Sequence, residues 1–232
     1  MEQILFNTKM VQAILAARKT QTRRPIKAPG NEYHYDRLLG DWPLSGQPKI
    51  IEKKLHWELQ KAVDDNGLFI ANLPYQKGDI LYARETWKVI VADPTVNFLY
   101  IKYIADKRES YVEFARDRFE KFKKYYDKKG WQPNIFMPKE AAMLFIEVTD
   151  IRVERVQDIS YEGAIAEGIT ETEIYNELLD ECSSVGAGTG TLPVQAFADL
   201  WHNLYKTKGY GWDDNPWIWV IEFERCEKPD EN

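Results

Sequence analysis

Cysteine is scarce: Cys182 and Cys226 are the only two in 232 residues. They are too few and too far apart for a disulfide framework or a zinc knuckle. Histidine is scarce as well, and the scattered His34, His56 and His202 argue against a metal centre. No apolar run approaches the roughly 20 residues of a membrane span. Lys9, Arg18 and Lys19 interrupt the first helical pattern, where a signal peptide would keep an apolar core. There is no phosphate loop, no dinucleotide fingerprint, no Gly-x-Ser-x-Gly elbow and no Cys–His pair, so no cofactor is expected. A cytoplasmic protein without membrane contact is the expectation. What is present is 44% hydrophobic, 13% aromatic and 29% charged, which excludes disorder, collagen and a simple coiled coil.

The net charge of −6 argues against bulk nucleic-acid binding. The average conceals a division. Residues 156–205 contain no Lys or Arg and hold nine acids, so the rest of the chain is net basic. Residues 157–205 read as an acidic helical segment. The densest basic cluster is Arg18, Lys19, Arg23, Arg24 and Lys27.

Along the chain, Ile4 to Phe6 reads as a short buried strand. Thr8 is the expected N-cap of a helix carrying Met10, Val11, Ile14 and Leu15 at helical spacing and ending near Ala17. Residues 19–24 read as extended, because Pro25 biases Arg24 towards β geometry. Residues 28–76 read as an irregular insertion with one hairpin, 53–57 against 68–71, turned at 65–67. A buried strand is expected at 80–87, then a hairpin of 88–92 with 98–104. A charged amphipathic helix is expected at 111–129, within a second insertion at 105–137. A long strand follows at 143–156, then a short helix capped by Ser160. A further helix is expected at 171–180, a loop at 183–190 and an amphipathic helix at 192–205. Trp217, Trp219, Ile221 and Phe223 alternate as the apolar face of a closing strand. The mixture points to one α+β domain over 1–232, mostly antiparallel, with a small barrel as its core.

Two segments are odd for pure structure. Arg18-Lys19-Thr20-Gln21-Thr22-Arg23-Arg24 has no apolar residue, yet it lies between a buried helix and a strand. In a strand, Lys19, Gln21 and Arg23 share one face, and Thr20, Thr22 and Arg24 the other. In Ala83-Arg84-Glu85-Thr86-Trp87 an Arg–Glu pair ends an apolar strand. The plain explanation is a solvated edge and a buried salt bridge.

These residues resemble the signature of ASCH domains, a branch of the PUA-like superfamily. Residues 4–6, the helix and 18–24 resemble its first block. Lys77-Gly78-Asp79-Ile80-Leu81 with Arg84-Glu85-Thr86-Trp87 resembles the second. Residues 147–152 with Asp158-Ile159-Ser160 resemble the third. Gly209-Tyr210-Gly211-Trp212 through Asn215-Pro216-Trp217 is similar to ASCH-like proteins often encoded by bacteriophages and prophages. The resemblance implies a PUA-like β-barrel flanked by helices, with a cleft for RNA or a nucleoside or nucleotide. Family members include hydrolases of the N4-acetylcytidine amide and reported ribonucleases. By motif, the catalytic Lys, Thr and Glu of the hydrolases correspond to Lys19, Thr22 and Glu85. The family's following Arg corresponds to Arg24, and its usual Gly before the basic pair is Ala17 here. Arg18, Arg23, Arg24 and Arg84 are candidate phosphate or ligand contacts. Trp87, Tyr210 and Trp212 are candidate stacking or lid residues.

At an unperturbed pKa near 10.4, Lys19 would be neutral in only about one molecule in 2,500 at pH 7. Lowering it to neutrality requires roughly 4 kcal/mol. Two assignments remain: Lys19 as base or nucleophile, or Glu85 as base with Lys19 stabilising an oxyanion; the second is favoured. Three functional classes remain open: a hydrolase of a modified nucleoside or of RNA, a non-catalytic reader of RNA or a modified base, and a phage accessory protein that binds a host protein.

Overall fold

The computed structural model describes residues 1–26, 49–51, 54–60, 66–170 and 192–229. The helix and loop expected at 171–180 and 183–190, like Lys27, lie outside the described residues. The strands in chain order are β1 (Glu2–Leu5), β2 (Gln21–Pro25), β3 (Lys49–Ile51), β4 (Lys54–Gln60), β5 (Asn66–Asn72), β6 (Ile80–Arg84), β7 (Trp87–Asp93), β8 (Phe98–Tyr103), β9 (Glu109–Glu113), β10 (Phe145–Arg155) and β11 (Trp217–Cys226). The helices are α1 (Thr8–Leu15), α2 (Arg116–Asp127), α3 (Tyr161–Ala166) and α4 (Leu192–Tyr205). The α+β class is therefore observed. Among the described residues the strands close no barrel.

The chain forms two compact units. One comprises residues 1–19, 78–148 and 223–232, the other 20–77 and 149–222. The long strands β10 and β11 each run from one unit into the other.

In the first unit β1 lies parallel to β6, with Leu5 opposite Arg84. The start of β10 lies antiparallel to β6, with Phe145 opposite Tyr82. A second, antiparallel sheet has the order β7-β8-β9. Its inner face alternates Leu99, Ile101 and Tyr103 into a core shared with Phe119, Phe122 and Tyr125 of α2. Burying each such side chain contributes roughly 1.5–3 kcal/mol. Residues 105–137, expected as an insertion, thus supply six of the fifteen buried residues of this core. The helix expected at 111–129 is shorter: 109–113 form β9 instead, because Tyr111 and Val112 alternate against Tyr100 and Leu99 of β8. The strand expected at 80–87 is interrupted, with Glu85 and Thr86 between β6 and β7.

The cap of α1 is Asn7 rather than Thr8: its side chain accepts from the Met10 amide at 2.9 Å. At the other end, Ala17 N–H donates to the Ile14 carbonyl and Arg18 N–H to the Ala13 carbonyl. That is a Schellman closure, and it puts Ala17 in the left-handed region at φ 54°. Ala17 therefore takes a turn that ordinarily favours glycine.

In the second unit β2 lies antiparallel to β11, with Gln21 opposite Glu222 and Thr22 opposite Ile221. The hairpin expected between residues 53 and 71 is present and longer, β4 against β5 with Gln60 opposite Asn66, and β3 extends it. Asn66 and Gly67 belong to β5, so they are not the turn. Helix α4 stacks Phe197, Trp201 and Tyr205 at i, i+4 spacing, with ring centroids 6.0 and 4.3 Å apart. Ile218 and Val220 are buried beside them. The opening of β11 is therefore covered on both faces, where the alternation alone indicated one.

Candidate active site

In the first unit the Glu85–Thr86 linker is tied down by its backbone. Ile104 N–H donates to the Thr86 carbonyl at 3.1 Å, and Gln132 and Trp87 exchange backbone bonds. Glu85 is fully buried. Its Oε1 accepts from Arg108 Nη2 at 2.9 Å, and its Oε2 has no hydrogen-bond partner. Burial pushes the Glu85 carboxyl up from 4.5 to about 7; Arg108 opposes the rise and Asp106 adds to it. A carboxyl poised near neutrality with one unengaged oxygen suits proton transfer. Lys19, in the same unit, is also buried, at 2% exposure.

Arg108 and Asp106 were not singled out in the sequence, because residues 105–137 read as an insertion. The available signal was the Asp106-Lys107-Arg108 charge triplet directly after a strand.

Arg84 is half-buried. Its Nη1 donates to the Ile135 carbonyl at 2.9 Å, and its guanidinium lies 5.8 Å from the Tyr82 ring centroid. Trp87 is fully buried and meets Tyr125 edge-on at 5.2 Å. Its ring therefore packs the core and presents no open face for a base. Arg18 is exposed on the turn after α1.

In the second unit the alternation of the basic segment is realised. Thr22, fully buried, accepts from Arg24 Nη1 at 2.7 Å. Arg23 Nη1 reaches Gln21 Oε1 at 3.3 Å on the other face. Arg23 is buried and pairs with Glu167 at 3.2 Å and Glu154 at 3.6 Å. Its guanidinium also sits 5.7 Å from the Phe197 ring centroid. These partners make Arg23 an internal anchor, and they explain one acid of the segment 157–205. Gly163 lets the guanidinium come close there: a Cβ on it would lie 2.9 Å from Arg23 Nη2.

The Tyr210–Trp212 loop is held from several sides. The Tyr210 carbonyl accepts from Trp201 Nε1 at 2.8 Å, and the Trp212 carbonyl from Gln157 Nε2 at 3.0 Å. Trp212 meets Phe197 edge-on at 6.2 Å. Both side chains stay partly exposed.

A separate cleft of about 420 Å³ runs along β9 in the first unit, lined by Tyr111, Glu113, Lys139, Glu140 and Lys228 among others. It contains none of the residues singled out from the sequence. Among the described residues no helix is long and apolar enough to cross a membrane. No family model matches the chain, and neither a curated protein nor a solved structure does.

Proposed function

We propose that the chain is an ASCH-type, PUA-like protein that takes a modified nucleoside, free or within RNA, and hydrolyses an N4-acylcytidine-type amide. The observation that carries this reading is Glu85: fully buried, with Oε2 unengaged and a pKa of about 7. A structural ion pair would instead hold its carboxylate low and satisfy both oxygens.

In this mechanism Glu85 Oε2 takes a proton from water as the water oxygen attacks the acyl carbon. The carbonyl electrons move to oxygen, and Lys19, as a cation, stabilises that oxyanion. Collapse breaks the C–N bond, and the proton on Glu85 goes to the departing cytosine amine.

The test is incubation with acylated and unmodified cytidine nucleosides and short RNAs, read by mass spectrometry, beside Glu85→Gln and Lys19→Ala. Loss of the acyl group is expected, rising through about pH 7 as Glu85 ionises and absent from both variants. Lys19-dependent strand cleavage would replace the amidase with a ribonuclease. Binding without turnover would replace it with a reader. Neither turnover nor binding would leave the third class, a phage accessory protein that contacts a host protein.

A further inference from the structure

Glu85 is not held alone. Resting on the reading of Glu85 as the proton-transferring group, we propose that Arg108, locked by Asp106, is its positioning residue: it claims Oε1 and leaves Oε2 as the oxygen that exchanges the proton.

The geometry starts in the turn after β8. Lys107 takes φ 64°, and Tyr103 N–H donates to the Arg108 carbonyl at 2.9 Å. This closes a tight connection that sets Asp106 and Arg108 together. Asp106 Oδ1 accepts the Arg108 backbone amide at 3.0 Å, and its Oδ2 pairs with Arg108 Nε. The guanidinium further reaches the Met143 carbonyl at 3.4 Å and lies 5.5 Å from the Tyr103 ring centroid. Its planar fork is thus pinned on several sides before it meets Glu85. The same turn is bonded to the Glu85–Thr86 linker through Ile104 and the Thr86 carbonyl, so donor and acceptor are registered by backbone.

The charge balance follows from the arrangement. A buried carboxylate facing one unshared guanidinium would stay ionised. Here Asp106 shares the guanidinium, so three ionised groups would sum to one negative charge, and Glu85 is left able to gain or lose a proton. Tyr103 does not compete as an acid: its hydroxyl donates to the Ala141 carbonyl at 2.5 Å, and burial drives its pKa upward.

The test follows the Glu85 carboxyl directly, by carbon-13 NMR titration of protein labelled at glutamate side chains, with the signal assigned through Glu85→Gln. Arg108→Gln removes the opposing cation, and the midpoint is expected to rise by about one pH unit or more. Arg108→Lys restores the charge without the fork and is expected to recover only part of the shift. Asp106→Asn, at a partly exposed position, frees the full guanidinium charge for Glu85 and is expected to lower the midpoint. An unchanged midpoint in Arg108→Gln and Asp106→Asn would overturn the proposal; should Arg108→Gln not fold, the Lys and Asn variants alone decide it. With an acylated cytidine as substrate, the pH profile of kcat is expected to move with each NMR midpoint. Midpoints that move while no substrate turns over would refute the catalytic reading and leave Arg108 as the group that sets Glu85. Turnover with a profile indifferent to Arg108 would do the reverse.

Discussion

Replacing Glu85 by Gln keeps the side chain's size and removes its titration. The carboxyl is raised from 4.5 to about 7 in the folded chain, chiefly by burial. Below about pH 4.5 it is protonated in both folded and unfolded chains and carries no penalty. Between the two values the folded chain holds a proton that the unfolded chain has lost, so stability falls as pH rises. Above about pH 7 it is ionised in both states, and the folded chain bears the full desolvation cost, about 3 kcal/mol for this separation. Arg108 does not become an orphan in the variant, because it keeps Asp106 and is 24% exposed. Urea unfolding of wild type and Glu85→Gln at a series of pH values reads the effect. Between about pH 5 and pH 8 the variant should gain roughly 2–3 kcal/mol on the wild type, on the order of 1 M in urea midpoint for a chain this long. Parallel stability curves for the two proteins across that range would refute the reasoning. They would mean that Glu85 is solvated or fully paired, and the case for a proton-transferring carboxyl would fall with it.

Ala17→Gly should raise the melting temperature, since Ala17 is exposed at φ 54° and Gly relieves about 1 kcal/mol of left-handed strain; an unchanged or lowered midpoint in a thermal scan counts against this. Gly163→Ala should cost about 1–3 kcal/mol, because the new Cβ meets the buried Arg23 guanidinium and disturbs its bond to Glu167. A neutral result in the same scan would show that Arg23 has room to move. Asn7→Ala should lose about 1 kcal/mol by removing the cap on the Met10 amide, whereas Asn7→Asp should keep it, as chemical denaturation can compare.

Sequence patterning was most informative where local rules act alone. The alternation in residues 18–24 placed Thr22 with Arg24 and Gln21 with Arg23, and both contacts are present. Helix spacing located α1 and α4, and period-2 alternation located β11. The left-handed turn at Ala17 was not foreseen, because alanine is strained there; the backbone bonds that close the helix impose it. Element ends were less legible. Thr8 was the expected cap of α1, and in the fold Asn7 holds that place one residue earlier, accepting from the Met10 amide. Residues 109–113 carry helical and strand patterns at once, and pairing with β8 decides for the strand.

Local sequence also showed that Arg84-Glu85 ends an apolar strand, and it marked Glu85, with Lys19 and Thr22, as a candidate for chemistry. It could not show what Glu85 meets. The salt bridge that seemed natural joined neighbouring Arg and Glu side chains. In the fold the partner is Arg108, a difference of 23 residues along the chain, while Arg84 turns to the Ile135 carbonyl. The same holds for Arg23, which the sequence offered as a ligand contact and the fold pairs with Glu167 and Glu154. Residue type and spacing determined which groups are chemically capable and which lie on one face. Burial and the choice of partner depend on strands and turns distant in sequence, and only their packing decided that Glu85 keeps one oxygen free while Arg23 keeps none of its charge for a ligand.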